Sequence, residues 1–230
     1  MPSFRHYLFH DETRSWLDTA VWSSCPSASV SDLVRMCFDS DQEKLLVAWS
    51  RNQTFILKER LPTKIRTKNL DKLWEHLQSD LSLPQHSLFT TILVDDTAEK
   101  ATFQPFNHLM VQEYTDQTCR NDVTIALRTR LLKGNSEVLD VGYDMTLIAL
   151  VGILEALRTE SNATKWLRTF APPSILMPHQ EKSSASHYGH WFSHSPTFNE
   201  WILNGVETLD RLRIPLETGL DAEITLSTSI

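Results

Sequence analysis

Residues 144–157 read DMTLIALVGILEAL, and no charged residue lies between Asp144 and Glu155. A helix that is apolar all the way round must be covered by the rest of the protein or by lipid. A membrane span needs about 20 apolar residues, roughly twice the length of this run. We therefore predict a buried helix over about residues 145–157, with the carboxylate of Asp144 capping its first turn.

The rest of the chain is predicted to surround this helix with strands and amphipathic helices. The apolar spacing predicts an amphipathic helix over residues 67–79, and an apolar run predicts a strand over residues 87–94. The elements do not follow the regular β-α-β alternation of a doubly wound fold. We predict an α+β fold, in which a mixed sheet packs around the central buried helix (about 145–157) and several amphipathic helices lie at the periphery. We predict a single α+β domain over residues 1–230, with a possible subdivision near residue 121.

The first 60 residues contain further predicted elements. Alternating apolar residues predict a strand over residues 3–9, and an apolar face predicts a helix over residues 11–23. Residues 44–50 and 54–58 are apolar, strand-like runs, and we predict that they pair as a hairpin.

The bulk composition is that of a globular protein with an acidic balance. Hydrophobic residues make up 41% and charged residues 22% of the 230 positions, which excludes wholesale disorder. The formal net charge is -7. Domains that grip phosphate backbones are usually basic, so nucleic acid is not the expected partner.

The cysteines and the N-terminal residues indicate the cellular compartment in which the protein is expected to fold. The chain has three cysteines without C-x-x-C spacing and no apolar segment at its N-terminus. A reducing compartment fits an odd cysteine count in a chain of this length, and the N-terminus predicts no signal peptide. We therefore predict a cytoplasmic or nuclear protein without membrane association.

Glycine is scarce and unevenly placed. The chain has six glycines, and the first is Gly134. Nucleotide-binding loops need glycine where the backbone approaches phosphate or adopts positive φ. Residues 1–133 therefore hold no such loop, and we predict no cofactor.

Residues 137–142 read EVLDVG and lie directly before the apolar helix. This hexapeptide resembles the first motif of S-adenosylmethionine-dependent methyltransferases, and the resemblance extends over about residues 127–157. It implies that an acidic strand end and a glycine turn hold the amino acid part of that cofactor. The turn continues with Tyr143, Asp144 and Met145, where the family has further small residues. The alternative interpretation is a buried strand that leads into a buried helix.

A histidine cluster is the candidate metal site. If residues 186–195 were helical, His187, His190 and His194 would share one face, as metal ligands on a helix often do. Three histidines and a water form a catalytic zinc arrangement. The alternative is a polar surface loop, which the neighbouring serines and Gly189 favour.

Two surfaces are predicted to bind a protein partner. The first is a run of positive charge in an acidic chain, which suits an anionic surface or RNA phosphate. The second is an aromatic pair within the histidine segment, because exposed aromatic residues often anchor interfaces. The residues predicted to bind the partner are Lys58, Arg60, Lys64, Arg66, Lys68, Trp191 and Phe192.

A pair of carboxylates, Asp95 and Asp96, follows the strongly apolar residues 87–94. The carboxyl end of a strand is a common place for catalytic acids, as in α/β enzymes that bind ligands there. An exposed Asp-Asp turn is the more frequent use of such a pair, and we interpret it in that way.

No complete catalytic constellation emerges from these motifs. We therefore predict a non-enzymatic protein-interaction subunit or adaptor of a larger assembly, and leave its oligomeric state open. The first alternative is an enzyme, either a metal-dependent hydrolase that uses His187, His190 and His194 or a diverged S-adenosylmethionine-dependent methyltransferase. The second alternative is an RNA-binding regulatory protein.

Overall fold

The computed structural model describes residues 2–57, 65–79, 83, 85–131, 143–170 and 195–217. Within these ranges the α-helices are α1 (Pro2–Phe9), α2 (Asp11–Arg14), α3 (Ser27–Phe38), α4 (Leu70–Ser79), α5 (Asp116–Leu131), α6 (Thr146–Leu157), α7 (Ala163–Phe170) and α8 (Ser195–Arg211). The strands are β1 (Val21–Trp22), β2 (Ala48–Trp49), β3 (Phe55–Leu57), β4 (Ile65–Thr67), β5 (Leu93–Asp95) and β6 (His108–Met110).

The described strands pair two by two. β1 runs parallel to β2, with α3 in the connection between them, and β5 runs parallel to β6. β3 and β4 are antiparallel. The structure is therefore a mixed α+β fold, as predicted, but the described strands form three small sheets and not one mixed sheet.

The apolar residues gather in two clusters. The first contains most of α6 together with residues of α1, α7 and α8, and Leu109 of β6 also contributes to it. The second contains one face of α4, Leu93 of β5, and the tryptophans of β1 and β2. Because α6 is covered mainly by other helices, the prediction of a mixed sheet packed around a central helix is not confirmed.

Helix α6 nevertheless lies close to its predicted position, and eight of its residues are buried. It begins at Thr146, and Oδ1 of Asp144 accepts a hydrogen bond of 2.7 Å from the Thr146 amide. The carboxylate therefore satisfies one of the free amides of the first turn, as predicted, although Met145 occupies the capping position.

Helices α6 and α8 approach each other at two glycines. A Cβ added to Gly152 would collide with the carbonyl oxygen of Trp201, and one added to Gly205 would collide with that of Ile148. The absence of side chains at these positions lets the two backbones come into contact. Among the helices that the structure describes, none is long and apolar enough to cross a membrane.

The first 60 residues differ from the predicted elements. Residues 2–9 form helix α1 and not a strand, because Phe4, Tyr7 and Leu8 also satisfy the i, i+3, i+4 spacing of a helix face. Residues 11–23 contain only the short α2 before β1 begins. The predicted hairpin is also wrong: Ser50 and Gln53 form a capping box that turns the chain after β2, and β3 pairs with β4 instead.

Candidate functional site

A buried ion pair lies at the carboxyl end of β5. Nζ of Lys68 donates a hydrogen bond of 2.5 Å to Oδ2 of Asp95. The side chains are only 7% and 9% exposed, respectively. Removing two charges from water is costly, so a pair at this depth needs further contacts that hold it in place.

The backbone around Lys68 is fixed by the turn that contains Lys100. The amide of Lys68 donates to the Lys100 carbonyl at 2.8 Å, and Oγ1 of Thr67 donates to the same carbonyl at 2.9 Å. Thr67 is completely buried at the end of β4. Because α4 begins at Leu70, Lys68 lies in the short connection between a strand and a helix.

Asp95 is held through its other carboxylate oxygen and through its backbone. Oδ1 accepts a hydrogen bond of 3.0 Å from the amide of Thr97. The Asp95 carbonyl accepts a hydrogen bond from the amide of Val111 at 3.2 Å, and Nε2 of His108 lies 2.9 Å from it. The carboxylate is therefore oriented before any ligand binds.

His108 lies on β6 directly behind the ion pair and is 9% exposed. Burial lowers the pKa of its imidazole, and this outweighs the hydrogen bond to Asp95, which raises it. The ring is therefore neutral at pH 7, and we assign its Nε2–H as the donor to the carbonyl of Asp95.

Asp96 differs from its neighbour in exposure. Its side chain faces solvent, and Oδ1 accepts a hydrogen bond of 2.8 Å from the Thr97 hydroxyl. The Asp-Asp pair is therefore only partly the exposed turn that the sequence suggested: Asp95 points into the protein and Asp96 is accessible.

A second group of polar residues follows β1. The Ser23 amide donates to the Trp49 carbonyl at 2.8 Å, which continues the pairing of β1 with β2. Oγ of Ser24 is buried and has no hydrogen-bond partner among the described residues. A buried hydroxyl of this kind normally has a partner in the protein, in water or in a ligand.

β1 and β5 share the second apolar cluster, through Trp22 and Leu93. β1 and β5 belong to different small sheets, but each pairs in parallel with its neighbour, and parallel strands of α/β proteins bind ligands outside their carboxyl ends. Ser24 follows the carboxyl end of β1, and Asp95 and Asp96 stand at the carboxyl end of β5. We therefore take these residues, together with Lys68, as the candidate functional site.

The chemistry of these side chains suits a phosphate group. The ammonium of Lys68 has three donors, of which Asp95 takes one. Carboxylate oxygens are the ligands that Mg²⁺ prefers. Among the described residues, no group of three or more His, Cys, Asp or Glu side chains is placed to hold a metal ion by itself.

Most residues singled out from the sequence lie outside the described part of the chain. These are Lys58, Arg60, Lys64, His187, His190, Trp191, Phe192 and His194, together with residues 137–142 of the motif that resembles methyltransferases. Arg66 is described: it is half-buried, and its Nη1 donates to Oγ1 of Thr54 at 3.2 Å. Lys68, which was predicted to bind a partner as part of a basic surface, is directed into the protein against Asp95.

Sequence reasoning therefore reached three members of the site without joining them. Lys68 was grouped with the basic residues around it, and Asp95 and Asp96 were noted for their place after an apolar run. Ser24 was not singled out, and its only signal was its position two residues after an apolar, strand-forming pair.

Comparison with known proteins gives an independent result. Residues 4–142 match the protein family described as NLI interacting factor-like phosphatase. An uncharacterized protein of Schizosaccharomyces pombe that contains an FCP1 homology domain is 29% identical over 150 residues. This alignment covers 62% of the chain and 59% of the relative, so the chain spans less than two thirds of the relative's length.

Proposed function

The chain belongs to the family of NLI interacting factor-like phosphatases, and we propose that it hydrolyses phosphate esters at the carboxyl end of β5. Residues 4–142, over which the family matches, include every member of the candidate site. The buried pair of Lys68 and Asp95 is the structural observation that supports this proposal most directly.

The family corrects the function predicted from the sequence. The prediction of a non-enzymatic adaptor is wrong, since the chain belongs to a family of phosphatases. The alternative of an enzyme is closer, and a phosphatase is a hydrolase. The family gives no support to a methyltransferase, and the histidine cluster remains an untested prediction. A cytoplasmic or nuclear location also stays a prediction.

Lys68 is the residue that we expect to bind the phosphate. Transfer of a phosphoryl group spreads negative charge over its oxygens, and catalysis depends largely on positioning and on neutralising that charge. An ammonium in a site with little water interacts more strongly with such charge than one in bulk solvent. Asp95 fixes the position of the ammonium and limits its mobility.

Asp96 and Ser24 are expected to complete the site from its open side. Asp96 offers a carboxylate oxygen to a divalent cation. Asp95, which forms the ion pair with Lys68, offers a second carboxylate oxygen. Mg²⁺ is usually held by one or two carboxylates, with water and substrate phosphate filling the other positions. Such an ion would neutralise phosphate charge when bound. The buried hydroxyl of Ser24 is the candidate donor to a phosphate oxygen.

Hydrolysis of para-nitrophenyl phosphate tests this proposal with the full chain. We expect the wild-type protein to release para-nitrophenol in the presence of Mg²⁺. Lys68→Met removes the ammonium and is expected to lower kcat/KM by about 10²–10³, which is the usual effect of losing one charge-stabilising donor. Lys165→Met is the matched control, because Lys165 is exposed on α7 and lies outside the site.

A second variant separates catalysis from folding. Lys68→Met leaves the carboxylate of Asp95 buried without its partner, so it is also expected to reduce stability. Asp96→Asn changes an exposed side chain and is expected to lower the rate while the thermal unfolding midpoint stays close to that of the wild type. Absence of hydrolysis by the wild type, or full activity in both site variants, would overturn the proposed function.

A further inference from the structure

A cleft of about 430 Å³ lies beside the candidate site, between the segment that follows β2 and helix α4. Neither Lys68 nor Asp95 lines it, so it is a separate feature from the buried ion pair. The side chains that line it are a mixture of aromatic, positive, negative and neutral polar groups: Trp49, Gln53, Lys72, Glu75, His76 and Ser79.

Two of the lining rings, Trp49 and His76, belong to a ladder of three rings that begins at Trp22. The centroids of Trp22 and Trp49 are 4.8 Å apart at an interplanar angle of 89°, and those of Trp49 and His76 are 5.3 Å apart at 45°. The ladder runs from β1 through β2 to α4. Rings that pack against each other in this way form a rigid surface, because each has few torsion angles to adjust.

Lys72 supplies a positive charge in the cleft, at a fixed position. Its Nζ lies 5.3 Å from the ring centroid of Phe55 and 6.0 Å from that of Trp49, within the range of cation–π attraction. The same atom donates to the Gln53 carbonyl at 3.4 Å. The ammonium is therefore placed beforehand, and a ligand that binds it need not immobilise a free side chain.

The cleft and the candidate site share part of their backbone. Trp49 lines the cleft. Its carbonyl accepts a hydrogen bond from the amide of Ser23, the residue before Ser24. On the other side, Lys72 lies in the first turn of α4, which begins two residues after Lys68. The cleft and the candidate site are therefore linked through the backbone on both sides of the cleft.

We propose that the cleft selects phosphorylated peptides that carry an acidic side chain close to the phosphorylated residue. The carboxylate binds the ammonium of Lys72, and the carbon atoms of the same side chain lie against Trp49. This inference rests on the proposed phosphatase function and adds a substrate class to it.

Glu75 tests the electrostatic basis of the proposal. It lines the same cleft and is exposed on α4. Its negative charge repels an acidic ligand. Glu75→Gln is therefore expected to strengthen the preference for acidic peptides, whereas Lys72→Gln is expected to remove it. Two substitutions with opposite predicted effects at one cleft distinguish charge recognition from general damage to the fold.

The experiment compares phosphoserine peptides that differ only by Glu or Gln at each position flanking the phosphoserine. At one or more positions, the wild type is expected to show a kcat/KM about threefold to fivefold higher for Glu, the effect of a partly exposed charge pair. Lys72→Gln should lower this ratio to about one, and Glu75→Gln should raise it. The ratio should fall with added salt, because salt screens exposed charges.

Two controls make the outcome decisive. Para-nitrophenyl phosphate has no acidic side chain, so the rate at which each variant hydrolyses it is the reference for its peptide rates, and Lys165→Gln should leave the peptide ratio unchanged. A wild-type ratio of one at every position, or a ratio that Lys72→Gln leaves intact, overturns the inference. If the protein hydrolyses no ester, the proposed function fails. Calorimetry then still tests the cleft, through the ratio of the binding constants of the Glu and Gln peptides.

Discussion

The ammonium nitrogen of Lys68 lies 2.5 Å from Oδ2 of Asp95, although the two residues are 27 positions apart in the chain. The contact joins the connection between β4 and α4 to the end of β5. A buried ion pair is weak evidence for stability, because desolvation of the charges offsets much of their attraction. Stability alone therefore does not account for the pair, which is why it supports the proposed binding of phosphate by Lys68.

The first prediction concerns the free energy of unfolding. Lys68→Met is expected to lower it by about 3–5 kcal/mol, because the Asp95 carboxylate is left buried and uncompensated. The double variant with Lys68→Met and Asp95→Leu is expected to recover most of that loss, since no buried charge remains. Urea denaturation at pH 7 measures both values.

The result for the double variant decides between two explanations. If it is as unstable as the single variant, the loss comes from packing around the Lys68 methylenes and not from an unpaired charge. Both variants are expected to be inactive, so recovered stability without recovered activity separates the structural role of the pair from its chemical role.

The second prediction concerns pH and His108. Burial lowers the pKa of this imidazole in the folded protein below that in the unfolded chain, which is about 6.5. Between these two pKa values the unfolded state binds more protons than the folded state, so the free energy of unfolding falls as the pH falls. The contribution of neutral His108 to stability is therefore complete above about pH 6.5 and is lost as the pH falls towards the folded pKa. His108→Gln keeps a donor for the Asp95 carbonyl but does not titrate.

Urea midpoints at pH 7.5 and pH 5.5 check this prediction. The wild type should lose more stability between these values than His108→Gln, and the other histidines affect both proteins alike. Equal losses would show that His108 does not contribute, because its proton affinity would then be the same in the folded and unfolded states.

The sequence predicted the long helices better than the site. Helices α4 and α6 have 10 and 12 residues, which is enough to show their period or their uniform burial, whereas each described strand has only two or three, which is too short for alternation to be recognised. The burial of Lys68 depends on Asp95, a distant residue, so the local density of positive charge wrongly suggested that Lys68 belongs to a partner-binding surface.

The scarcity of glycine misled the functional prediction for a physical reason. Glycine-rich loops are needed where the backbone itself wraps a phosphate. The site proposed at β5 would use the side chains of Lys68, Asp95 and Asp96, which need no glycine. The composition of residues 1–133 therefore bears on nucleotide-binding loops and not on phosphate chemistry in general.

The third prediction concerns the contact between α6 and α8. Replacing glycine by alanine inside a helix usually stabilises it by up to about 1 kcal/mol. At Gly152 and Gly205 the added methyl group meets the backbone of the opposite helix, so the free energy of unfolding of each alanine variant is expected to fall by about 1–3 kcal/mol through overpacking.

Leu203→Ala on the exposed face of α8 is the control and should change the free energy of unfolding by less than about 0.5 kcal/mol. A stabilised Gly205→Ala would show that the two backbones are not in contact.

The fourth prediction is that hydrolysis depends on a divalent cation through Asp96. Chelation should abolish para-nitrophenyl phosphate hydrolysis by the wild type, and added Mg²⁺ should restore it, because phosphate charge needs neutralising and two adjacent carboxylates offer oxygen ligands. Asp96→Asn removes the charge of the exposed carboxylate, so it should need a higher Mg²⁺ concentration for half-maximal rate and be partly rescued by excess Mg²⁺. Asp116→Asn, at the exposed start of α5, is the matched control and should follow the wild-type curve. Activity that survives chelation, or an Asp96→Asn curve that coincides with the wild type, would show that Asp96 does not bind a cation needed for hydrolysis.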